Sequence, residues 1–358
     1  MSSLNHGVTE LALILLAAGC SSSATAATSR DAGPSSDAGM AVDAQLPFPL
    51  SLPRGSPGIG FDDLQFSTKL RKVIVPAGRT GQVVLVDPDD SGVTAIAAFT
   101  PTSTYQSGSY NDGPTSAVEV RGYLAVIDKT ASALTLVDPA SQQVVNSTPL
   151  AQPADYVRSV AVTNELWLTS PGQGQIEVFS LSAQDPPVPT HAASIAIALG
   201  PEALAIDATR GRAYTNSFVG QTFAIDLQTR AVVETWTNGC TISLGIALDE
   251  ARGFAVVGCQ EGKLVVLDVA HAGAQRSELT VGNGLDIVSY SPTLHHVYAA
   301  AGASATLSIA ALAADGTLSL LGQTPTAAGA KCVTADDRSH AWVCDPDHGQ
   351  LLRITDGL

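Results

Sequence analysis

The segment "EALAIDATRGRAYTNSFVGQTFAIDLQTRAVVETW", Glu202 to Trp236, decides the fold. It contains four apolar runs of strand length: EALAID (Glu202 to Asp207), RAYTN (Arg212 to Asn216), QTFAID ending at Asp226, and AVVETW (Ala231 to Trp236). Only a few turn-forming residues separate these runs, so four consecutive antiparallel strands are expected. Asp207 and Asp226 close the first and third runs, where a carboxylate can accept the backbone N–H groups of a tight hairpin and a nearby Gly can take φ > 0. The same reasoning makes Asp87, Asp138, Asp249, Asp268 and Asp336 turn residues rather than chemical groups.

Outward from this segment the third run recurs as VVLVD (Val83 to Asp87), LTLVD (Leu134 to Asp138), IEVFS (Ile176 to Ser180), LVVLD (Leu264 to Asp268), LSIAA (Leu307 to Ala311) and LRITD (Leu352 to Asp356). With FAID in its place, the steps between successive terminal residues are 51, 42, 46, 42, 43 and 45. A period in the forties with four short strands per period is that of a propeller blade, and seven marks predict seven blades. Only 5% of the chain is aromatic and 14% charged, and no long run repeats its apolar residues at helical spacing, which agrees with packed sheet. The expected fold is therefore all-β, a seven-bladed β-propeller with four-stranded blades over residues 46–358. One strand is missing, because LLRITDGL (Leu351 to Leu358) reads as the third strand of blade seven and no run follows it. The unassigned LPFPLSL, Leu46 to Leu52, is predicted to close that blade as its outer strand, where Pro47 and Pro49 are tolerable on an outermost edge.

RAYTN, HVYAAAG (His296 to Gly302), AWVCD (Ala341 to Asp345) and PEALAID resemble the YVTN-repeat β-propellers over roughly residues 58–358. The resemblance implies a seven-bladed extracytoplasmic protein. It says little about activity, since such propellers include surface-layer proteins, binding proteins and lobes of quinone-dependent enzymes. At the other end of the chain, LALILLAAGC (Leu11 to Cys20) has the length of a signal-peptide apolar region, and Ala17, Ala18, Gly19 and Cys20 resemble a bacterial lipobox. Residues 1–19 are read as a lipoprotein-type signal peptide, Cys20 as the lipidated residue and 20–45, rich in Ser, Ala, Asp and Gly, as a disordered tether. The expected location is the bacterial cell envelope, facing the periplasm or the exterior, with membrane contact through the anchor only. With 33 acidic against 18 basic side chains the net charge is −15, which argues against nucleic-acid partners.

In a propeller, the residues opening the inner strands and closing the second strands crowd one mouth of a central funnel. These positions give Asp62, Asp63, Arg79, Asp128, Lys129, Arg158, Glu202, Asn216, Asp286, Lys331 and Asp345, with Asp347 and His348 just beyond. Carboxylates and an Asn suit a hard cation such as Ca²⁺, interspersed Arg and Lys suit an organic anion, and a solvated polar rim would look the same. The connection PTSTYQSGSYNDG, Pro101 to Gly113, accounts for the 51-residue step and is expected to bring Tyr105 and Tyr110 to the funnel side as a partial lid.

Catalytic motifs are absent: there is no G-x-S-x-G, C-x-x-C, H-E-x-x-H or P-loop, and no haem-attachment motif. His295 and His296 are expected as exposed turn residues at the end far from the funnel. Cys240 and Cys259 bracket one hairpin and Cys332 and Cys344 another, which in an exported chain suggests two intrablade disulfides. A register opposing Asp336 to Ala341 would leave the second pair diagonal. The preferred expectation is a monomeric, lipid-anchored binding or scaffold module for a protein or small-molecule ligand at the mouth, with no cofactor. The alternative is a metal-dependent lactonase or lyase-type enzyme using Asp63, Glu202, Asp286 and Asp345, and a quinone-dependent oxidoreductase is a third.

Overall fold

The computed structural model describes residues 46–358; the expected signal peptide, Cys20 and tether lie outside them. Twenty-eight strands form seven antiparallel four-stranded sheets. The inner strands, in blade order, are Gln65–Ser67, Pro114–Val120, Val157–Val160, Glu202–Asp207, Ser243–Asp249, Leu285–Ser291 and Val333–Ala335. Blades one to six run outward in sequence order, and successive inner strands touch until blade seven meets blade one. The only helical pieces among the described residues are two short 3₁₀ turns, Gly78–Thr80 and Pro171–Gln173.

All seven recurring runs fall in third strands. Second and third strands are buried on both faces, as in Phe254–Cys259 and Lys263–Asp268, because each blade is covered by a neighbour on either side. Alternate residues serve alternate interfaces: Val256 packs with blade six, whereas Val257 packs with blade four. The core is accordingly seven clusters, one in each gap between blades. Continuous apolar runs are what sequence shows when a strand has no solvent face.

The turn aspartates act as expected. Asp207 Oδ1 accepts the Arg210 N–H at 2.9 Å, Asp226 Oδ1 that of Thr229 at 2.8 Å, and Asp268 Oδ1 that of Ala270 at 3.0 Å. Gly211 supplies the left-handed residue of the blade-four turn, with φ 63°, but Arg71 and Gln142 hold the same conformation in other hairpins, so Gly is not obligatory there.

Blade seven is completed by Phe48–Ser51, which pairs antiparallel with Gln350–Thr355; Phe48 opposes Arg353 and Ser51 opposes Gln350. Pro49 sits on this outermost strand, opposite Leu352.

Two expectations need correction. In blade seven Ala335, not Asp336, opposes Ala341, so Cys332 stands directly across from Cys344; the Cys344 N–H donates to the Cys332 carbonyl at 3.1 Å, and the two sulfurs are bonded. Cys240 and Cys259 are bonded likewise. His296 is not an exposed turn residue: it opens the second strand of blade six, is buried, and its Nδ1 lies 2.8 Å from Asp356 Oδ2. Only His295 is exposed.

Candidate functional site

The connections that enter inner strands and those that link second to third strands converge at one end of the ring. They enclose a chamber of about 650 Å³ to which all seven blades contribute. Its ionisable lining is Asp62, Lys129, Asp155, Glu202, Asp286 and Lys331, with the phenols of Tyr110 and Tyr156. Five of the eleven expected residues are therefore brought together here: Asp62, Lys129, Glu202, Asp286 and Lys331.

The other six do different work. Asp63 is fully buried and clamped by Arg158, whose Nη1 donates to Oδ2 at 2.6 Å and Nη2 to Oδ1 at 3.1 Å, while Ser116 Oγ donates to Oδ2 at 2.7 Å. Arg158 Nε also donates to the Leu204 carbonyl at 3.1 Å, so this group staples the inner strands of blades one to four. Arg79 donates to the carbonyls of Arg54, Gly55 and Gly58, fixing the segment that leads into blade one. Asn216 Nδ2 donates to the Leu244 and Gly245 carbonyls at 2.9 and 3.1 Å, tying blade four to blade five. Asp128 accepts the Ala131 N–H at 3.2 Å within its own turn. Asp345 accepts from Gln350 Nε2 at 2.8 Å and lies 2.9 Å from His348 Nδ1, outside the chamber lining.

Two titratable lining residues, Asp155 and Tyr156, and the apolar Phe218 and Ile242 escaped the sequence reading, which took Arg158 for blade three. The strand there begins at Val157. Residues just before it face the mouth, whereas Arg158 is already inside the channel, where it lines a second cavity of about 320 Å³. The signal was present in the parallel with Asp62 and Glu202, which also open their blades.

Within the chamber, Lys129 Nζ lies 2.7 Å from Asp155 and 3.4 Å from Asp62, and Lys331 Nζ lies 2.6 Å from Asp286. The Tyr110 ring is wedged between the two ammonium groups, 4.8 Å from Lys129 Nζ and 3.9 Å from Lys331 Nζ. The 101–113 connection thus reaches over the mouth, and Tyr105 Oη fastens it to blade seven by donating to Asp347 Oδ1 at 2.6 Å. Burial disfavours both ammonium ions, but the facing carboxylates outweigh it and raise both lysine pKa values, so the lysines stay charged.

Glu202 differs from the other acids. It is 7% exposed, no lysine pairs with it, and its one side-chain hydrogen bond comes from the Tyr156 hydroxyl at 3.5 Å. Burial, and then the charges of Asp286, Asp155 and Asp62, push its pKa well up. Asp62, 2% exposed, is pushed up mainly by burial and by Asp155, against the pull of Lys129.

The acids do not form the expected metal set. Asp63 and Asp345 are committed elsewhere, and among the described residues the one cluster of three metal-ligating atoms within 4.8 Å is Cys240, Cys259 and Glu261, whose sulfurs are disulfide-bonded. A third constellation lies in a groove of about 300 Å³ between blades two and three, where His191 Nε2 is 2.6 Å from Glu177 Oε2 and 3.4 Å from Ser194 Oγ. Acid and hydroxyl meet the same ring nitrogen, whereas a nucleophilic triad needs them on opposite nitrogens. This cluster is an outer-strand hydrogen-bond group.

No protein-family model matches this chain, and no curated protein matches it. Solved structures do. A chain of the Mitotic Checkpoint Complex superposes with TM-score 0.69 at 16% identity, covering 93% of this chain and 98% of that one. Kuenenia stuttgartiensis Hydrazine Synthase gives 0.65 at 12% identity, covering 91% and 99%. The Myceliophteria thermophila Cps50 (Swd1) β-propeller domain gives 0.66 at 14% identity, covering 85% and 98%. At these identities the likeness establishes the β-propeller fold and leaves activity to be argued from the site.

Proposed function

We propose that this protein is a binding module whose ligand enters the funnel mouth, and that it works from an envelope membrane to which lipidated Cys20 anchors it. The observation that carries the binding reading is the chamber itself, to which every blade contributes and whose buried carboxylates are only partly paired. Burying carboxylates is costly, and such groups concentrate where a ligand is bound or chemistry is done. The absent catalytic motifs and the dispersed acids favour recognition over metal-assisted lactone chemistry. Export and anchoring rest on the lipobox-like AAGC and the Ser-rich segment after it, and the bonded cysteine pairs are compatible with an oxidising compartment.

Two experiments test the two halves. Ligands found by a thermal-shift screen of the intact protein are expected to lose affinity in at least one of Tyr110→Ala, Asp286→Asn and Glu202→Gln, and ligands indifferent to all three substitutions overturn the mouth as the site. Mass spectrometry of the protein from its native membrane should show a diacylglyceryl group on an N-terminal Cys20, and an unmodified, internal Cys20 overturns the anchor.

A further inference from the structure

The chamber has two unlike sides. Around Tyr110, three carboxylates are matched to two lysines: Asp62 and Asp155 to Lys129, and Asp286 to Lys331. Glu202 stands apart, with no cationic partner and with its Oε2 accepting no hydrogen bond among the described residues. The chamber as a whole holds four carboxylates against two ammonium groups and no guanidinium, on a chain of net charge −15. A buried carboxylate left without a partner is the group a ligand's cation would satisfy.

A second, independent feature adjoins Glu202. Leu199, Phe218, Val219 and Ile242 are 65%, 37%, 52% and 36% exposed. They form one arc on the rim of blades four and five: the Phe218 N–H donates to the Leu199 carbonyl at 2.8 Å, and the Gly220 carbonyl accepts the Asn238 N–H at 3.0 Å, joining the turn after Val219 to the connection that carries Ile242. Phe218 and Ile242 also line the chamber, and Glu202 pairs across the sheet with Asn216, two residues before Phe218. Apolar side chains beside a mouth do nothing for an inorganic ion, but they are what an apolar neighbour of a bound side chain would cover.

We propose that the mouth receives a segment of a partner protein in which one Lys or Arg side chain reaches Glu202 while adjacent apolar side chains rest on the Leu199, Phe218, Val219 and Ile242 arc. The inference rests on the mouth being the binding site and specifies what it binds. The paired lysines around Tyr110 confine the incoming cation to the Glu202 side by repulsion, which selects one basic side chain over a run of them. Ionised Glu202 is the binding form, so affinity rises as pH rises above the ordinary glutamate range.

The test uses random dodecapeptides displayed on phage, selected against the intact protein. Enriched peptides are expected to share a Lys or Arg next to an apolar residue. The synthetic peptide should bind at least about tenfold more weakly to Glu202→Gln, and likewise to Leu199→Ser combined with Phe218→Ser, with circular dichroism confirming that each variant is folded at the temperature of the measurement; tenfold corresponds to about 1.4 kcal/mol. Replacing its basic residue by Glu should abolish binding. No enrichment, enrichment without a basic residue, or affinities unmoved by either variant overturns the proposal. Spermidine or CaCl₂ binding that depends on Glu202 but not on Leu199 and Phe218 also overturns it, while leaving the mouth as the site. Peptides that bind equally well to Glu202→Gln, to the Leu199 and Phe218 double variant, and to Tyr110→Ala and Asp286→Asn overturn both readings.

Discussion

Glu202 is held in the fold at a cost that grows with pH. Its pKa is raised in the folded chain, so below about pH 4.5, the ordinary value, folded and unfolded chains are both protonated and the residue is neutral in the balance. Above that value the unfolded chain ionises freely while the folded one must bury a charge beside Asp286, Asp155 and Asp62, and stability falls. Glu202→Gln should therefore match the wild type near pH 4 and melt higher as pH rises towards 8; a constant offset across that range, or a lower melting temperature at pH 8, contradicts the account. At this scale the sequence was half legible. Residue type and position picked out Glu202, Asp286, Asp62 and the two lysines, because residues that open an inner strand must face the mouth. The same types at Asp63, Arg158, Asn216 and Arg79 face strands and carbonyls of neighbouring segments instead, and a carboxylate bound by a ligand reads no differently in sequence from one bound by an arginine two blades along the chain.

Among the elements, the inner strands carry a burden that their lengths hide. Two of the seven, Gln65–Ser67 and Val333–Ala335, have only three residues, so ladder bonds alone hold them weakly. The Asp63, Ser116, Arg158 and Leu204 group ties four of these strands together around the axis. Arg158→Met leaves Asp63 fully buried without its cation, and should cost about 3–5 kcal/mol in urea unfolding. A loss below about 1 kcal/mol would mean that Ser116 Oγ and Gln65 Nε2, which donates to Asp63 Oδ1 at 2.9 Å, suffice to solvate it. Strand existence was easily read, since third strands such as Lys263–Asp268 are continuous apolar runs ended by Asp. Register was not: a shift of one residue separates the expected diagonal Cys332 and Cys344 from the observed facing pair, and periodicity of two cannot fix where a hairpin turns when both faces are buried.

For the whole molecule, closure depends on the strand Phe48–Ser51. Leu52 is buried in the gap between blades seven and one, with Leu50 packed against the same cluster. Deleting residues 46–52 removes these contacts and bares the Gln350–Thr355 edge, so the loss should exceed the roughly 2–5 kcal/mol of one buried Leu. Unchanged melting of the truncated chain would show that the ring closes without it. The pairing also has a direction. Ser51 lies beside Gln350, at the mouth end where third strands begin, and Phe48 beside Arg353, towards the end where they finish. Residue 46 therefore emerges on the face opposite the chamber. Whatever precedes residue 46 thus joins the propeller away from the acidic mouth, and a ligand can reach the chamber without passing the segment that closes the ring.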